Sequence, residues 1–152
     1  MSLSRRNFVF ATATLLAVPA PVFAKNIPEL NLSRSGLALR GVDPTSYFTE
    51  GKPVKGSRNI TTTHNGGTYR FVSEASQALF ESDPEAYLPA YGGYCSYGTA
   101  VKAKVDGDPY IWHIVDGKLY LNITRSVDRV WQRDIPGYIS DANKNWTWLE
   151  SQ

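Results

Sequence analysis

"YIWHIVDGKLYLNI", residues 110–123, decides the fold. Two β-rich runs flank Asp116 and Gly117, a pair that tolerates the positive φ values a two-residue hairpin turn demands. With that turn, Ile114 stands opposite Leu119, Trp112 opposite Leu121 and His113 opposite Tyr120. Because side chains alternate along a strand, one face carries Tyr110, Trp112, Ile114, Leu119, Leu121 and Ile123, and is expected to be core. The other face carries Ile111, His113, Val115, Lys118, Tyr120 and Asn122, a mixed set suited to partial solvation or to the wall of a site.

Upstream, "RNITTTHNGGTYRFVS" (58–73) repeats the chemistry: β-branched runs on both sides of Asn-Gly predict strands at 59–64 and 67–72. Ser73 is a suitable N-cap for a helix whose apolar stripe is Ala75, Ala78, Leu79 and Phe80; Pro84 interrupts it and Tyr87 closes the unit. Still earlier, "GLALRGV" reads as a short strand, and Asp43-Pro44 as a cap and first position of a helical turn ending near Phe48. "EGKPVKGS" (50–57) is loop chemistry. Downstream, Val127, Val130 and Trp131 recur at helical spacing until Pro136 and Gly137, after which "YISDANKNWTWL" predicts a last helix packing Trp146 or Trp148. No internal repeat is evident. These elements imply a small single α+β domain, two antiparallel β-hairpins packed with several short helices.

The chain has 152 residues, 42% hydrophobic and 20% charged, enough for one core. Its first 24 residues, "MSLSRRNFVFATATLLAVPAPVFA", place Arg5 and Arg6 before an apolar run from Phe8 to Val18 and end in small residues. That is the pattern of a signal peptide cleaved between Ala24 and Lys25, and "SRRNF" resembles the twin-arginine type that exports folded proteins, with an ordinary Sec signal as the alternative. The run is too short for a membrane span, so a periplasmic protein without an anchor is expected. Residues 25–35 read as a flexible lead-in and 36–150 as the domain. Of the 16 Lys and Arg, the signal holds Arg5 and Arg6 and no acid, which leaves 14 against 14 Asp and Glu. A neutral, mixed surface speaks against nucleic acid as a partner.

The stretches "GVDPTSYFTEGKPVKGS" (41–57), "HNGGTYRFVSEASQALFESDPEAYLPAYGGYCSYG" (64–98) and "DGKLYLNITRSVDRVWQRDIPGYI" (116–139) resemble an exported bacterial branch of the YHS-domain family. The resemblance runs from about Gly36 to Trp146, and its most specific part is the helix ending with Phe80, Pro84 and Tyr87. Metal-binding relatives carry cysteines at places that hold Ser46, Val72 and Ala75 here, so those ligands are missing. Similarity to YHS-domain (seleno)proteins, in which selenocysteine is expected at the place of Cys95, implies redox or soft-metal chemistry at this position.

Cys95 is the chain's only cysteine, in "YGGYCSYG" (91–98), which excludes an intramolecular disulfide. Tyr94, Tyr97, Gly98 and Val101 recur at helical spacing, predicting a short helix from about Gly93 with the thiol in its first turn, where the helix dipole would lower its pKa. Gly92 and Gly93 would allow close backbone approach by a ligand or a second chain. Three readings stay open. In the first, Cys95 thiolate joins His113 or His64, with Tyr94, in a site for copper or another soft metal ion. The second makes Cys95 a redox-active thiol regenerated by an external thiol, in a pocket shaped by Tyr91, Tyr94 and Tyr97. The third is a non-catalytic module that binds a small molecule or has a structural role, its cysteine incidental; no catalytic triad, carboxylate pair or phosphate loop stands out. Partners, on these readings, are a small molecule, a metal ion or an external thiol.

Overall fold

The computed structural model describes residues 30–151; the signal peptide expected at 1–24 lies outside them. Six α-helices and two antiparallel two-stranded sheets follow one another, α1 (Ser46–Thr49), β1 (Thr61–His64), β2 (Gly67–Arg70), α2 (Glu74–Ser82), α3 (Pro84–Tyr87), α4 (Ser96–Ala100), β3 (Asp108–Val115), β4 (Lys118–Asn122), α5 (Arg125–Trp131) and α6 (Ile135–Leu149). This is the α+β domain expected from the two turn dipeptides. Asn65-Gly66 and Asp116-Gly117 take positive φ as predicted, and the second hairpin pairs Trp112 with Leu121, His113 with Tyr120 and Ile114 with Leu119. Ser73 caps α2 in a capping box with Ser76. No helix among the described residues is long and apolar enough to cross a membrane.

Besides the reading of "GLALRGV" as a strand, where residues 39–41 form a turn, and of Asp43 as a helix cap, a place taken by Thr45, the structure corrects three expectations. Residues 31–35 are not a free lead-in: Asn31 N–H donates to Gly92 O at 2.8 Å, its side-chain amide donates to Gly93 O at 3.1 Å, and Leu32 bridges Ala38. The hairpin's core face is only half buried. Leu119 and Leu121 are enclosed, whereas Tyr110 is 51% exposed and Ile114 and Ile123 are at the surface. The strand register shifts between Asp108 and Trp112, which takes Tyr110 out of the alternation, and β3 is the outer strand. β4 instead is covered on both faces. Leu119 and Leu121 pack with Leu39, Val42 and Tyr47, and Tyr120 packs with Tyr91 and Trp131.

The third correction concerns repetition. Leu39, Arg40 and Gly41 form a turn with three successive positive φ values, and so do Tyr91, Gly92 and Gly93. After each turn comes an extended residue that bridges a later segment, Val42 to Lys55 and Tyr94 to Asp106. Before each, Leu37 bridges Thr68 and Pro89 bridges Leu119, both in parallel. Asp43 N–H donates to Val54 O, and Cys95 N–H to Val105 O, each at 2.9 Å. The pairs Thr61–Arg70 and Trp112–Leu121 coincide in register. Ser73 and Thr124 cap the following helices, and Asp83 and Asp134 cap the next ones in nearly the same unusual backbone conformation, each followed by a proline in the first helical turn. Buried Phe80 against Tyr69 answers to buried Trp131 against Tyr120. One unit of turn, short helix, hairpin and capped helix is thus built twice, over residues 37–87 and 89–138. Turn chemistry and the aromatic pairs Tyr69–Phe80 and Tyr120–Trp131 are kept between the copies while most other side chains differ, which hides the repeat in the sequence.

Candidate functional site

Cys95 is the N-cap of α4 rather than part of its first turn. Its residue is fully buried. Gly98 N–H donates to Sγ at 3.4 Å, and Sγ in turn donates to Asn122 Oδ1 at 3.6 Å. Asn122 is itself buried; its Oδ1 also accepts from Tyr97 N–H at 3.2 Å and its Nδ2 donates to Asp128 Oδ1 at 2.9 Å. His113 Nε2 meets the same carboxylate oxygen at 2.8 Å. Cys95, Asn122, Asp128 and His113 therefore form one hydrogen-bonded chain from the buried thiol to a part-exposed imidazole.

The electrostatics run against the expected thiolate. Burial pushes the thiol pKa up, and the charge on Asp128 adds to that; the N–H groups of Gly98, Ile123 and Tyr97 pull it down, but less. A five-residue helix contributes too little dipole to reverse the cost of desolvation. The thiol that donates to Asn122 is the neutral form.

The repeat supplies an internal comparison. The place of Cys95 is held in the first half by Asp43, also fully buried. Asp43 Oδ1 accepts from Thr45 N–H at 2.8 Å and Oδ2 from Val72 N–H at 2.8 Å. Around Cys95 the equivalent N–H groups, of Tyr97 and Ile123, are near enough to favour the anion slightly, but Tyr97 N–H donates to Asn122 Oδ1 and the donor to the sulfur is Gly98 N–H. Both residues tie the start of a short helix to the end of a hairpin. At the place of His113 and Asp128 the first half has Thr62 and Gln77, joined by a neutral hydrogen bond of 3.0 Å, and at the place of Asn122 it has Phe71 in the core.

The other residues expected at the site are dispersed. His64 ends β1 in the first hairpin, edge-on to Phe80, with Nε2 buried and Glu85 Oε1 3.6 Å away. Tyr94 packs on Trp146 with Lys104 Nζ over its ring, and Tyr97 packs edge-to-face on Tyr138. The structure does not bring Cys95, His113 and His64 together: His113 reaches Cys95 only through Asp128 and Asn122. Among the described residues, no group of three or more His, Cys, Asp or Glu is placed to hold a metal ion. As a copper site the donor set is poorly arranged, because Asn122 and Asp128 stand between Cys95 Sγ and His113. Sequence reasoning placed His113 and Asn122 on one face but missed Asp128, since only the packing of α5 on β4 brings it to them.

A cleft of about 120 Å³ opens where the two left-handed turns meet. Leu39 and Arg40 line it from the first half, and Gly92, Gly93, Asp106 and Gly107 from the second. Gly107 is required by the close packing beneath: a Cβ there would lie 2.5 Å from Gly93 O. Cys95, just past the second turn, is not part of the lining. Comparison with protein families, with curated proteins and with solved structures returns no match.

Proposed function

We propose that the chain is an exported YHS-like domain acting as a non-catalytic binding module, with a small ligand seated in the cleft between the two left-handed turns. Of the readings left open by the sequence, this one has the best geometric support. The observation that carries it is the equivalence of Cys95 and Asp43: the sulfur is closed off from solvent at the place where the first half has a carboxylate whose work is structural. The cleft supports the second element. It is concave, lined by polar and apolar groups alike, and contains the glycine pair at which a ligand can approach the backbone.

The test uses the mature exported protein. Titration with Cu(I) is expected to produce no thiolate-to-copper charge-transfer band, and iodoacetamide is expected to label Cys95 only as fast as the fold opens. A stoichiometric band that disappears in Cys95→Ser would overturn the reading in favour of metal handling. Rapid labelling of the folded protein, or sulfenate formation with peroxide at a rate above that of unfolding, would favour the redox alternative.

A further inference from the structure

Arg40 carries a cost that the other half avoids. Its φ is +49°, in the left-handed region where a side chain is strained, and the same place in the second turn is occupied by Gly92. A side chain kept under strain beside a cleft, where glycine serves in the repeat, points to use of that side chain. The guanidinium is half exposed at the rim, with Nη1 3.4 Å from Asp108 Oδ2. Lys55 Nζ donates to the Arg40 carbonyl, and Arg70 stands beside Gly41, where an added Cβ would be 3.4 Å from its Nη1. The acids facing this turn are Asp108 and, in the lining, Asp106. Asp43, two positions past Gly41, adds a third carboxylate to balance the three cations, so around the turn charge is close to even and Arg40 is the cation in the lining.

Resting on the binding-module reading, we infer that Arg40 sets the specificity of the cleft and that the ligand is a small monocarboxylate with an apolar body. Its carboxylate accepts hydrogen bonds from the guanidinium, displacing Asp108, while the hydrocarbon lies on Leu39, Leu121 and Tyr69. A planar fork suits a carboxylate. The absence of a cationic excess and the small volume disfavour a polyphosphate.

The mature chain is titrated with butanoate and, separately, with butanamide, followed by amide resonances of Gly92, Gly93 and Gly107. Butanoate is expected to shift these signals and to bind about tenfold more tightly than the amide, the size of one charge-assisted contact at a half-exposed site. Arg40→Gly adopts the conformation of the second turn; it is expected to keep the wild-type Tm or exceed it and to abolish the preference. Equal binding of the two probes, or a preference that survives in Arg40→Gly, overturns the inference and leaves the cleft as a binding site. If neither probe shifts the cleft signals, both the inference and the cleft reading fall.

Discussion

Replacing Cys95 by alanine removes an acceptor for backbone donors at the start of α4 and leaves a small void, at an expected cost of about 2 kcal/mol in urea unfolding. Cys95→Ser keeps an acceptor and is expected to lose about half as much. The pH dependence has a definite sign. The folded pKa of the thiol is raised, so the folded state holds the proton more tightly; that contribution is complete below the unfolded value and is lost as pH climbs through the folded one. Wild-type Tm is therefore expected to fall more steeply than that of Cys95→Ser once pH passes about 8.5, the ordinary cysteine value. Tyr47, Tyr69 and Tyr91, all raised chiefly by burial, act in the same direction further up the scale and are common to both proteins. At Asp128, alanine strands the buried Asn122 amide and frees His113; a loss of about 2 kcal/mol is expected in chemical denaturation. The identity of Cys95 as a possible site was legible because it is unique. Its protonation state was not, since burial arises from β4 and α6 packing over a stretch whose own sequence placed the thiol in the first turn of a helix.

Turns and caps carried the local information that could be read directly. Asn65-Gly66, Asp116-Gly117 and Ser73 act through their own backbone or that of near neighbours, and so behave in the fold as they read in the chain. The glycines of the bridging segments could not be read this way. A Cβ at Gly56 would sit 2.5 Å from the Arg70 backbone, and one at Gly107 2.5 Å from Gly93 O. These are equivalent places in the two halves. Gly56→Ala and Gly107→Ala are expected to destabilise to a similar degree, about 2 to 3 kcal/mol each, because backbone must move. Gly66→Ala, whose Cβ meets open space, is expected to cost about 1 kcal/mol from its positive φ alone. Urea denaturation of the three variants separates crowding from strain. The α5 face was legible only in part, for a related reason: helical spacing picked out Trp131, which is buried, but nothing within the helix indicated that Asp128 would reach across to His113 on β3.

At the scale of the whole molecule, the two units share a core. Leu39, Val42 and Tyr47 of the first pack against Leu119 and Leu121 of the second, and Tyr47 O–H donates to Pro109 O at 2.9 Å across the boundary. Neither half encloses these residues without the other. A fragment ending after Leu88 is therefore expected to lack cooperative unfolding by circular dichroism, while the full chain unfolds in a single transition. Recovery of a folded first half would show that the units are separate domains. By itself the sequence determined the fold class, the register of the second hairpin and the Ser73 cap, because turn dihedrals and side-chain alternation depend on residues within a few positions. Only the tertiary structure decided that the chain is one unit built twice, that Cys95 is a closed, protonated counterpart of Asp43, and that a cleft lies between the two turns. Those outcomes come from contacts between residues some fifty positions apart, and burial, which sets the charge state of a thiol and the shape of a cavity, is a property of the assembled core rather than of any segment.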